Sequence, residues 1–162
     1  MSVEGQTAAS FFADRWKGRG EVRGLFGERL RTFTVFYECE GSATDSALLC
    51  DERVVYNNRA TMVRSWLLSS TGGGAMLGLE ASQGGRMRIR DTRQGFQIRY
   101  DRLRMSAGAN VIHLRVNVWR EADGRVRMKG WTRALGIFPV FRTSVVLEPV
   151  SASAAGVRPA SR

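Results

Sequence analysis

The chain has 162 residues, 43% hydrophobic and 25% charged, a mix that builds about one domain with a core and excludes wholesale disorder. Its net charge of +10 is unevenly placed: residues 1–81 carry 9 basic against 10 acidic residues, and residues 82–162 carry 16 against 5. The excess therefore reads as a surface feature of one half rather than a bulk property.

No cationic start precedes an apolar stretch, and the longest nearly apolar run, Ala134 to Phe141, is far short of the roughly 18 residues that span a bilayer. The expectation is a cytoplasmic protein that is not transmembrane. In that compartment the two cysteines are expected to be free thiols. One histidine rules out a multi-histidine metal site, and the oligomeric state is left open.

In chain order, residues 1–10 are small and polar and read as a disordered N-terminus. Ser10 is placed to cap a short helical turn holding Phe11 and Phe12. Beyond it, short alternating runs predict strands over 16–25, 29–39, 46–56, 60–69, 74–81, 86–91, 95–104, 110–121, 125–134 and 140–148. Turns are expected at Gly27-Glu28, Gly41 to Asp45, Asn57-Asn58, Gly72 to Gly74, Gly84-Gly85, Gly95, Gly108 and Asp123-Gly124. Residues 151–162, rich in Ser and Ala, read as a disordered tail. Connections this short leave no room for crossover helices, so pairing is antiparallel. Closure removes the exposed edges that an open sheet would keep. The expected fold is all-β: a single antiparallel β-barrel of about 8–10 strands over residues 11–150.

Two hairpins let the register be derived. A two-residue turn at Asp123-Gly124 sets Val118 opposite Lys129, whereas a three-residue loop, Ala122 to Gly124, sets Val118 opposite Met128. Only the second keeps apolar faces together, because a one-residue slip flips every side chain. The other face then pairs Trp119 with Arg127, Asn117 with Lys129, Arg115 with Trp131 and His113 with Arg133. The two Trp–Arg pairs are candidate cation–π contacts. Arg86, Arg88, Arg90 and Arg99 alternate in the same sense, so these strands together would pave a basic outer wall. His113 lies on that polar face, whereas a haem-ligand role would need it inside.

At the earlier hairpin, a two-residue turn pairs Asp51 with Arg64. A three-residue loop, Asn57 to Arg59, pairs Glu52 with Arg64 and Cys50 with Trp66, and gathers Cys50, Val54, Tyr56, Met62 and Trp66 inward; it is preferred. Cys39 and Cys50 fall opposite each other if their strands pair, which makes a cross-strand disulfide the alternative to free thiols. Gly72 to Gly74 is not a phosphate loop, since no Gly-Lys-Ser/Thr follows.

Phe11-Phe12, Gly18-x-Gly20, Phe26-Gly27, Arg31-x-Phe33-Thr34-Val35 and, above all, Asp51-Glu52-Arg53-Val54-Val55-Tyr56 followed by Arg64-x-Trp66 resemble an uncharacterised bacterial family, domain of unknown function 3833, over about residues 11–68. The chain departs from that pattern where Arg115-Val116-Asn117 replaces an Asp-Asp-Trp run. The resemblance implies a lipocalin-like (calycin) barrel without an established activity. Asp14-Arg15-Trp16 is similar to the Trp-bearing first strand of lipocalins.

The leading expectation, resting on that resemblance and on room left by Gly130, Thr132 and Ala134, is a non-catalytic binder of a small hydrophobic or amphipathic ligand. Its contacts would be Trp16, Glu52, Tyr56, Arg64, Trp66 and Tyr100. The alternative is a binder of nucleic acid or an anionic surface through Arg86, Arg88, Arg90, Arg99, Arg115, Trp119, Arg127, Lys129, Trp131 and Arg133. The third is an enzyme using Glu52 and Tyr56. No catalytic residue, metal or cofactor is assigned.

Overall fold

Burial alternates along the strands with the period-two rhythm of the sequence. Between Ala47 and Arg53, Leu48, Cys50 and Glu52 are buried while Leu49, Asp51 and Arg53 are exposed. The computed structural model describes residues 5–41, 47–82, 84–104, 111–134 and 138–151. A short helix, α1 (Ala8–Phe12), precedes ten strands: β1 (Trp16–Arg23), β2 (Arg29–Glu40), β3 (Ala47–Tyr56), β4 (Thr61–Gly72), β5 (Ala75–Glu80), β6 (Arg86–Asp91), β7 (Gly95–Arg104), β8 (Val111–Arg120), β9 (Val126–Ala134) and β10 (Phe138–Pro149). Each pairs antiparallel with its sequence neighbour, and β1 pairs with β10 to close the barrel. All ten expected strands are present. The Gly108 turn, most of the Gly41 to Asp45 turn and nearly all of the 151–162 tail lie outside the described residues.

Both derived registers hold. Val118 faces Met128 and Val116 faces Gly130, with Gly124 at φ +86° closing the loop. Glu52 faces Arg64 and Cys50 faces Trp66. In that hairpin the left-handed loop position is filled by a non-glycine residue, Arg59, at φ +67°.

Two expectations are corrected. Cys39 and Cys50 are not free thiols but form a disulfide. They are direct partners on β2 and β3 with Cα atoms 3.9 Å apart, so strand geometry brings the sulfurs together. At the N-terminus, the cap of α1 is Thr7 rather than Ser10: the Thr7 hydroxyl accepts from the Ser10 N–H at 3.2 Å. The helix starts early because its first turn is tied to the barrel. The Ala8 N–H donates to Asp91 Oδ1 at 2.9 Å, and Arg120 donates to Gln6 Oε1 at 2.9 Å.

Helix α1 plugs one end of the barrel. Phe11 stacks on Trp16 and contacts Phe96 and Tyr37, with centroids 5.1, 5.3 and 5.8 Å away. The other end, where β1, β3, β7 and β9 finish, carries no such plug among the described residues.

Candidate functional site

The interior narrows from that second end to a cavity of about 90 Å³. Phe33, Val35 and Tyr37 of β2, Glu52, Val54 and Tyr56 of β3, Met62 and Arg64 of β4, Tyr100 of β7 and Gly130 of β9 are in its wall. At Gly130 the backbone comes close to its neighbours: a Cβ there would lie 3.2 Å from both Leu114 Cδ1 and Val116 Cγ2.

Glu52 and Arg64 are 9% and 7% exposed, so a carboxylate and a guanidinium share one low-dielectric chamber. Burial pushes the Glu52 carboxyl above its ordinary range; Arg64 and, less strongly, the Trp66 indole pull it back. The Trp66 N–H is close enough to favour the charged carboxylate, yet it makes no hydrogen bond of standard geometry. It acts as a nearby dipole rather than as a hydrogen-bond donor. Arg64 donates to Met62 Sδ at 3.0 Å. Burial also raises the Tyr37, Tyr56 and Tyr100 hydroxyls, so all three are neutral donors at any physiological pH.

Of the six expected ligand contacts, the cavity brings together Glu52, Tyr56, Arg64 and Tyr100. Trp66 sits one step deeper, edge-on to Tyr100 at 5.6 Å. Trp16 belongs instead to the plugged end, where its indole N–H donates to the Phe11 carbonyl at 2.7 Å and is thereby used up. Tyr37 and Phe33 were not foreseen. Opposing Cys39 to Cys50 also sets Tyr37 opposite Glu52 and Phe33 opposite Tyr56, so the same register contained them.

Residues 4–133 match a family described as a protein of unknown function, DUF3833. The chain belongs to this family. No curated protein matches it. Within the DUF3833 chain, the match spans most of the cavity wall, leaving out Thr143 and Val145 of β10.

The outer face of the DUF3833 barrel carries the basic residues as expected. Arg86, Arg88, Arg90, Arg99, Arg115, Lys129 and Arg133 are exposed there, with Trp119, Arg127 and Trp131 half-buried. Arg88, Arg99, Arg115 and Trp131 are successive Cα partners across β6 to β9, and Arg142 continues the row on β10. The expected Trp–Arg cation–π pairs do not form. Arg127 turns to Glu121, donating at 2.6 Å, and Lys129 takes its place over the Trp119 ring at 5.9 Å. Arg115 stands beside Trp131 in register but not over its ring. His113 is on this outer face, its Nδ1 3.9 Å from Asp101. Among the described residues no helix is long and apolar enough to cross a membrane.

Proposed function

We propose that the protein is a lipocalin-like, non-catalytic binder of a small amphipathic ligand whose polar head enters the barrel beside Glu52 and Arg64. The observation that carries this reading is a buried carboxylate facing a cavity also lined by a guanidinium and three tyrosine hydroxyls. An ionised carboxylate offers several acceptor sites, so a donor on the ligand head can bond to Glu52. The volume sets the size. At about 90 Å³ the chamber is well under the roughly 300–1,000 Å³ of drug-sized pockets, so it takes a head of a few heavy atoms. The apolar remainder of the ligand lies along Phe33, Met62 and Leu114 toward the mouth.

Native mass spectrometry of protein purified from its own host tests this. A retained small molecule, lost from Arg64→Met and Gly130→Val variants that still fold, supports the reading; a bare chain mass under gentle conditions contradicts it. The Cys39–Cys50 disulfide favours an oxidising compartment over the cytoplasm for this binder.

A second reading, binding of nucleic acid or another anionic surface, is favoured by the Arg88–Arg99–Arg115–Trp131 row and by the open depression over Arg99, Arg115, His113 and Arg133. It expects oligonucleotide binding that weakens steeply with salt, with the salt slope falling by about one for each phosphate-contacting arginine removed.

A further inference from the structure

Part of the outer face of β3, β4 and β5 is leucine-rich, and it abuts a basic strand, β6. Leu49, Leu67 and Leu79 are successive Cα partners across the three strands and are 45%, 46% and 55% exposed. Leu77, on the same strand face, is 48% exposed. The solvent side of an antiparallel sheet ordinarily alternates to polar residues, so leucines abutting on adjacent strands form a patch rather than scattered surface positions. Register gives the patch a sharp basic border. On β6, Arg86 is the direct partner of Leu79, Arg88 of Leu77 and Arg90 of Ala75, and all three arginines are exposed. Of the flanking carboxylates, Asp51 accepts from the Ser65 hydroxyl at 2.5 Å and Asp101 pairs with Arg88 at 2.8 Å, while exposed Glu40 of β2 stands opposite Leu49 at the far edge.

We propose that this face docks on an anionic lipid bilayer, with the leucines entering the boundary between headgroups and acyl chains and Arg86 and Arg90 of β6 holding lipid phosphates. Charge selects the occupant. Exposed Arg86 and Arg90 at the border oppose close approach of the same face of a second copy. Nucleic acid offers phosphates, but leucine side chains give its bases no stacking surface. An anionic bilayer supplies negative headgroups and an apolar layer side by side, as the patch and its border require. The proposal deepens the anionic-surface reading by adding an apolar anchor, and it is independent of the interior cavity.

The test is co-sedimentation with vesicles of phosphatidylcholine alone or with about 30 mole percent phosphatidylglycerol, at about 0.1 M salt. The wild-type protein is expected to bind only the anionic vesicles. Leu67→Ser/Leu79→Ser weakens binding about tenfold through lost apolar area. Arg86→Gln/Arg90→Gln weakens it about thirtyfold. Leu49→Ser/Leu77→Ser repeats the leucine test in case the first pair misfolds, with thermal unfolding as the control. No binding to anionic vesicles overturns the proposal. Leucine variants that bind like the wild type also overturn it, and leave the basic wall as the only anionic-surface site. A wild-type dimer that the leucine changes dissolve overturns it in favour of a second copy.

Discussion

Glu52 on β3 faces Arg64 on β4 as a direct Cα partner, and Tyr37 flanks Glu52 from β2. A hydroxyl, a carboxylate and a guanidinium thus form one row across three strands, with their side chains at the cavity. Burial disfavours charge on Glu52 and Arg64 restores part of it. Opposite charges in one chamber add little net stability, but removing Arg64 leaves the Glu52 charge buried without that cation.

The raised Glu52 value carries a sign. The folded state holds that proton more tightly than the unfolded chain, so its stabilising contribution is complete below the ordinary carboxylate value of 4.5 and is lost as pH rises through the folded value. Glu21, Glu121 and Asp123, lowered by hydrogen bonds from Arg23, Arg127 and Arg125, act in the opposite sense and below that window. Denaturant unfolding of wild type and Glu52→Gln across pH is expected to show a wild-type loss above 4.5 that the variant lacks.

The β1 glycines are packing requirements. A Cβ on Gly18 would lie 2.4 Å from the Val146 carbonyl oxygen, a backbone atom that cannot move without opening the β1–β10 seam. Gly18→Ala is expected to cost about 2–3 kcal/mol. At Gly130 the added Cβ meets only side-chain tips at 3.2 Å, so Gly130→Ala costs less while shrinking the cavity. Thermal unfolding of the two variants side by side checks the order.

Cys39 and Cys50 close a loop with a sequence separation of 11. Cys39→Ser/Cys50→Ser is expected to lose about 2–3 kcal/mol, the loop-closure entropy of a segment that short. Thiol titration of the denatured, unreduced protein is expected to find none.

Arg59 holds a left-handed backbone at φ +67° in the β3–β4 loop. Arg59→Gly is expected to stabilise the protein by up to about 1 kcal/mol, because glycine adopts that conformation without a Cβ clash. An unchanged or lower unfolding midpoint would contradict this.

Strand existence and the registers of two hairpins were legible because matching faces admits only one loop length at Ala122–Gly124 and at Asn57–Arg59. Other features depended on contacts between distant parts of the chain. The role of Trp16 is decided by Phe11 folding back to take its indole N–H. Arg127 was assigned to Trp119 by register, but a carboxylate six residues earlier, Glu121, attracts it more strongly than an aromatic ring does. Free thiols follow only from an assumed compartment, whereas strand pairing decides which sulfurs meet. The leucine face was hidden because Leu48-Leu49 and Leu67-Leu68 put leucine on both sides of their strands.

The central claim is that the barrel interior receives a ligand head beside Glu52 and Arg64. A high-resolution crystal structure of protein purified from its own host tests it most directly. The account predicts non-water density in the cavity, within hydrogen-bonding distance of Glu52 and continuing toward Met62 and the mouth. A chamber holding only ordered water, or closed by the side chains of Phe33, Tyr56 and Leu114, would contradict it.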